Sequence, residues 1–307
     1  MRVLVCIIPQ IRYPELTWNN FKTNVIDELE ADLLLCVGDS RPRAQGKLIE
    51  NATGNDDNDF FNNAKYIFRY QDPDDWSEAY DTMSSVWRDF AHIPEGWLGP
   101  AKKPHPHRDA GGIMLFFRWF LLKQLEKNNL LEKYDQIVVT RSDYFWMKPH
   151  PKLDCEHAWF PNGEFHGGVC DRHMVIPTKW AADFLGTGGT ISKEQYQPMV
   201  NFFNERISQG WGHNWMYNIE TYLWFRYLYA GHHTRIGFFP QKMVLASMPP
   251  HASPESWDPV HKLYIRYRPE VESVESSDDA LITWPYTIEH TYMKYGMFTG
   301  RVHSGIL

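Results

Sequence analysis

Residues 136–143 read Gln136-Ile137-Val138-Val139-Thr140-Arg141-Ser142-Asp143: an apolar, β-branched run that stops at a charged turn. Branching at Cβ crowds a helix and suits a pleated strand, so Gln136–Thr140 is expected to be a buried strand. Upstream, Ile113 to Leu125 is apolar nearly all round, the signature of a helix inside a fold. Further back, Arg2–Ile8, Asp32–Asp39 and Lys65–Tyr70 read as strands. Between the first two, Trp18, Phe21, Val25 and Leu29 recur at helical spacing. Pro73-Asp74-Asp75 is a helix-start signal, and Trp76, Ala79, Tyr80, Met83, Val86, Trp87 and Phe90 form an amphipathic stripe after it. Strands alternating with helices predict an α/β fold with a mixed, mostly parallel sheet flanked by helices.

Downstream, short strands are expected at Ala158–Pro161, Met174–Pro177, Arg235–Phe239 and Met243–Ala246. One helix stripe is Tyr196, Met199, Val200, Phe203 and Ile207. A second helix is expected from about Asn218 to Ala230, stopping at Gly231. Residues 41–63 and 93–112 read as surface loops, and the tail from His251 as irregular with one strand over Leu263–Arg268. There is no internal repeat and no clean domain boundary.

The chain has 307 residues, 43% hydrophobic and 22% charged, enough for a sizeable core. A net charge of −7 disfavours nucleic acid as a partner. The four cysteines, Cys6, Cys36, Cys155 and Cys170, have no C-x-x-C spacing and are expected to be free thiols. The N-terminal apolar run is too short for a signal peptide, and Arg118 interrupts the longest apolar stretch. No transmembrane segment and a cytoplasmic location are therefore expected.

In an open α/β sheet, ligands bind beyond the carboxyl ends of the strands. Asp39, Asp72 and Asp143 each stand just after an expected strand. Asp143 there suits a hard divalent ion, magnesium or manganese, that neutralises a diphosphate; a plain turn cap is the alternative. Asp171 follows the glycine turn Gly167-Gly168, where a ligand can approach the backbone. Its alternative is a surface turn with Arg172. Arg118 needs a partner inside its apolar helix, either a phosphate or Asp135. The histidine pairs His105/His107 and His232/His233 lack metal-ligand spacing. Trp146, Trp211 and Trp215 offer flat faces for sugar rings, or simply pack in the core.

Tyr134-Asp135-Gln136-Ile137-Val138-Val139-Thr140-Arg141-Ser142-Asp143 resembles a segment of GT-A glycosyltransferases, where a helix leads to a strand and a variant of Asp-x-Asp. The preceding helix, Trp159-Phe160-Pro161 and Gly167-Gly168 fit the same pattern. The set is similar to the glycosyltransferases that large algal viruses use to build capsid glycans, a xylosyltransferase among them. The likeness covers roughly Arg108 to Gly231.

It implies a single GT-A (Rossmann-like) domain over 1–307, with 1–145 as the nucleotide-sugar-binding half and 146–307 as the acceptor side and tail. It implies transfer of a sugar, xylose for instance, from a UDP-linked donor to a glycan or glycoprotein hydroxyl. Asp143 would hold the metal, with Asp39, Asp72, Arg118 and Arg141 on the donor. Glu220 would be the base of an inverting reaction, with Asp171 as its rival, and the three tryptophans would bind acceptor. His290 or His303 would supply a further metal ligand. Arg141 replaces the first Asp of the motif, which leaves it two roles: facing the diphosphate or pairing with a carboxylate. Two other classes remain open on the residues: a non-catalytic carbohydrate-binding protein and a zinc-dependent hydrolase.

Overall fold

The computed structural model describes residues 1–38, 43–44, 47–48, 57–73, 76–83, 110–162, 168–186, 218–248, 256–276 and 280–283, with isolated positions between 197 and 208. The strands are β1 (Val3–Ile7), β2 (Asp32–Gly38), β3 (Arg43–Ala44), β4 (Lys47–Leu48), β5 (Tyr66–Tyr70), β6 (Gln136–Thr140) and β7 (Tyr144–Trp146). They continue as β8 (Ala158–Asn162), β9 (Met174–Pro177), β10 (Ile236–Pro240), β11 (Met243–Ser247), β12 (Trp257–Asp258), β13 (Leu263–Ile265) and β14 (Ile282–Thr283). The α-helices are α1 (Pro14–Phe21), α2 (Asp59–Asn63), α3 (Trp76–Met83), α4 (Ala110–Lys127), α5 (Ala181–Leu185), α6 (Ile219–Tyr229) and α7 (Arg268–Ser276).

The main sheet runs β14-β10-β8-β9-β6-β1-β2-β5. Its pairs β5–β2, β2–β1, β1–β6 and β8–β10 are parallel, while β9 joins β6 and β8 antiparallel. This is the expected mixed, mostly parallel α/β sheet. The chain leaves β1 toward β2 and β5, then returns to place β6 on the other side of β1. That reversal opens a crevice between the carboxyl ends of β1 and β6, the usual ligand position of such sheets. The boundary suggested at 145/146 falls inside β7, and the sheet takes strands from both sides of it.

The central strands are apolar because both faces are covered. Leu4, Cys6, Leu34, Cys36, Ile137 and Val139 face one core, with Leu115, Phe116, Phe117 and Leu121 of α4. Val3, Val5, Ile7, Leu33, Leu35 and Val138 face the other, with Trp18 and Phe21 of α1 and Val25 just beyond it. The alternation follows from the two-residue period of a strand. Each fully buried Leu or Phe contributes about 1.5–3 kcal/mol, so α4 is held by packing. All four cysteines are free thiols.

A second sheet, β12-β13-β11-β7, lies beside the first and brings Tyr144–Trp146 against Met243–Leu245. The sequence reading missed β7, which is only three residues long. It also read the tail as irregular, whereas α7 spans Arg268–Ser276, and read 41–63 as loop, where β3, β4 and α2 form. These elements are short and take their order from tertiary contacts rather than from periodicity. Gly231 has φ +76, the left-handed geometry expected just past a helix end. Among the described residues no helix is long and apolar enough to cross a membrane.

Candidate functional site

Three segments meet at the crevice. The first is the loop after β1. Its Arg12 amide donates to Ser142 Oγ at 2.7 Å, which ties it to the turn between β6 and β7. Tyr13 follows with φ 50, a left-handed backbone that costs a non-glycine residue about 1–3 kcal/mol. Pro14 then opens α1. The second segment is Arg141-Ser142-Asp143. Arg141 grips Asp143 with two parallel bonds, Nε to Oδ1 at 2.8 Å and Nη2 to Oδ2 at 2.6 Å. Arg12 Nη1 lies 3.8 Å from the same Oδ2. The third is 168–173, where Arg172 Nε stands 3.7 Å from Asp171 Oδ1 and Nη1 is 4.0 Å from Glu270 Oε1 of α7.

The charges respond to one another. Burial opposes the charge of Asp143, but Arg141 and then Arg12 and Arg266 hold its carboxyl below the usual range. Burial likewise opposes Arg141, yet Asp143 outweighs it and raises the guanidinium. Arg12 is lowered to about 10, by burial first and by Arg141 second. Arg12 thus carries the strain of a cluster in which Arg12, Arg141, Arg172 and Arg266 crowd together. Such a cluster attracts an anion.

The residues around Asp143 do not fit a divalent ion. Both its oxygens accept from Arg141, and an entering cation would face two more guanidinium groups, Arg12 and Arg266. Among the described residues no group of three or more His, Cys, Asp or Glu is placed to hold a metal. Arg141 pairs with the neighbouring carboxylate.

The segment that carries Asp171 meets Glu220 through the backbone. Val169 N donates to the Glu220 carbonyl at 3.2 Å. A Cβ on Gly168 would lie 1.8 Å from that same oxygen, so only glycine allows the approach. Asn218 Oδ1 caps α6 by accepting from Thr221 N at 2.8 Å, which places Glu220 in the first turn. Glu220 and Asp171 are both buried. Asp171 and Arg172 are therefore not the surface turn that was the alternative. Arg118, fully buried, donates through Nη2 to the Asp171 carbonyl. Asp135 is not its partner; that carboxylate pairs with Arg2.

Other expected site residues separate. Asp72 sits at the same sheet edge, its Oδ1 2.2 Å from where a Gly38 Cβ would be. Asp39, Trp211, Trp215, His105, His107, His290 and His303 lie outside the described residues. Trp146 is only 1% exposed and packs on His150 and His173, so it cannot serve as an acceptor platform. His232 faces Asp183, at 3.5 Å.

The sequence reading overlooked Arg12, Arg172, Arg266 and Glu270. Asp39, Asp72 and Asp143 are acids past strand ends; the same positional rule applied to cations finds Arg12, just past β1. The sequence reading also overlooked a buried histidine pair. His150 Nδ1 lies 2.7 Å from the Pro151 carbonyl, the two Nε2 atoms are 3.3 Å apart, and His173 Nδ1 lies 2.9 Å from Thr140 Oγ1. Because a carbonyl only accepts, His150 Nδ1 carries the proton. His173 Nε2 then donates to His150 Nε2, and Thr140 donates to His173 Nδ1. Burial lowers His150 to about 4 and His173 well below its ordinary value, so both rings are neutral.

No model of a known protein family matches the chain, and no curated protein matches it in sequence.

Proposed function

We propose that the chain transfers a sugar from a nucleotide sugar, UDP-linked, to a hydroxyl of a glycan acceptor. The observation that carries this reading is the arginine cluster of Arg12, Arg141 and Arg172 at the β1–β6 crevice, next to Asp171 in a segment whose Val169 is bonded to the backbone of the buried Glu220. Sugar transfer needs a site that binds a leaving diphosphate and another that accepts a proton. In the reaction, Glu220 takes the proton of the acceptor hydroxyl. That oxygen forms a bond to the anomeric carbon as the bond from that carbon to the phosphate oxygen breaks. The electron pair leaves on the diphosphate, whose charge the arginines offset. Attack opposite the leaving group inverts the anomeric centre.

A donor-hydrolysis and transfer assay with UDP- and GDP-sugars, run in a chelator and then with manganese, tests this. Turnover in the chelator is expected, because arginines rather than a metal face the phosphates. Glu220→Gln should slow transfer by about 10²–10⁴ with donor affinity unchanged. A variant within threefold of wild type moves the base to Asp171. Absence of binding by any nucleoside diphosphate at millimolar concentration ends the transferase reading.

A further inference from the structure

We propose that Arg118 anchors a binding site for an anionic group, a phosphate or a carboxylate carried by a small ligand. The proposal stands whether or not a sugar is transferred, since nothing in the transfer step uses Arg118. Arg118 lies in the middle of α4, with no exposed surface, among Leu115, Phe117, Leu121 and Leu122. Its Nη2 donates to the Asp171 carbonyl. Its Nε and Nη1 are buried and have no hydrogen-bond acceptor among the described residues.

The partly buried arginines of the crevice are treated differently. Arg141 holds Asp143 and Arg172 faces Asp171 and Glu270, whereas among the described residues no carboxylate pairs with Arg118. A buried charge without a counter-charge is strongly unfavourable, and two unsatisfied donors add to the penalty. Packing alone would be served better by Leu or Met at this position. A guanidinium kept here at such cost is matched by a ligand that brings both negative charge and acceptor oxygens. Sugar hydroxyls would satisfy the donors but not the charge. Through the Asp171 carbonyl, Arg118 is fixed to the 168–173 segment, whose Val169 contacts Glu220. The anionic group would therefore lie beside Asp171 and the start of α6.

Thermal melts of the full chain test this with four probes: inorganic phosphate, pyrophosphate, glucuronate and, as a neutral control, glucose. The wild type should rise by several degrees with at least one anion and not with glucose. Which anion acts separates a phosphate source from a carboxylate source. Arg118→Met should melt above wild type in buffer alone, because the uncompensated charge is gone, and should lose the anion response. Arg118→Lys keeps the charge and should keep part of it. Arg118→Met that fails to fold, melts below wild type or retains the full anion response overturns the proposal. So does a wild type that answers to none of the anions.

Discussion

Two polar clusters lie within a few residues of each other at the carboxyl end of β6, and they meet burial in opposite ways. Thr140, His173 and His150 pass one proton each along a chain that ends on the Pro151 carbonyl, and every ring stays neutral. Arg141, Asp143 and Arg12, starting one residue later, stay charged and rely on pairing. The histidine chain is closed: each ring nitrogen has a partner, and Trp146 and Phe239 pack around it. The arginine cluster is open: among the described residues Arg12, Arg141 and Arg266 all act on the Asp143 carboxylate, and Arg12 is pushed down to about 10. A closed neutral network specifies a fold. An open charged one is suited to receive a ligand.

The sharpest way to break this contrast is to remove one member of the charged pair. Arg141→Met leaves Asp143 buried without its two hydrogen bonds, with Arg12 and Arg266 as the nearby cations. Urea unfolding should show a loss of about 3–5 kcal/mol, the usual result of breaking a buried pair. The double variant Arg141→Met/Asp143→Leu should regain part of that, since the lone carboxylate is gone, though Arg12 then loses its counter-charge. A single variant that loses under 1 kcal/mol would mean the carboxylate is satisfied without Arg141.

The two clusters should also fail at different pH. His150 goes from 6.5 in the unfolded chain to about 4 when folded, so the unfolded state binds the proton first. Stability is then intact above pH 6.5 and is lost as pH falls from 6.5 toward 4, by about 3 kcal/mol from this ring alone. Asp143 has a folded value below its ordinary 3.8. Its stabilisation is present above the unfolded value and is lost only as pH falls further, through the folded one. Urea midpoints measured from pH 7 to pH 3 should fall in those two steps. A flat profile between pH 6.5 and 4.5 would contradict the neutral histidine chain.

A smaller effect tests the backbone joint that brings Asp171 to Glu220. Gly168→Ala pushes a methyl group into the Glu220 carbonyl, and overpacking of this kind costs about 1–3 kcal/mol. Transfer activity should fall further than stability, because Glu220 is displaced. Loss of stability with full activity would show that Glu220 is not positioned by this contact.

The smallest expected change is at the cap of α6. Asn218→Ala removes the acceptor for Thr221 N and should cost about 1 kcal/mol, read from the urea midpoint. If donor affinity is unchanged while acceptor turnover drops, the first turn of α6 serves the proton-accepting end of the site rather than the arginine cluster.

The α/β pattern was written in local sequence. Ile137–Val139, the all-round apolar helix that became α4 and the Gly231 stop are each set by side-chain shape and periodicity, so they could be read without the fold. Positions just past the strands were legible for the same reason and gave Asp39, Asp72 and Asp143, while the glycine turn pointed to Asp171 and the helix start to Glu220. Which of them meet was decided only by tertiary structure. Arg12 and Arg141 are more than a hundred residues apart and become neighbours because β1 pairs with β6. Glu220 meets the segment that carries Asp171 because Gly168 lets two backbones touch. Trp146 looked like a platform and became core, since β7 pairs with β11 and turns its ring onto His150 and His173. Sequence fixes what a residue can do chemically. Burial and partners, which depend on contacts distant along the chain, decide whether it stays charged, neutral or unpaired.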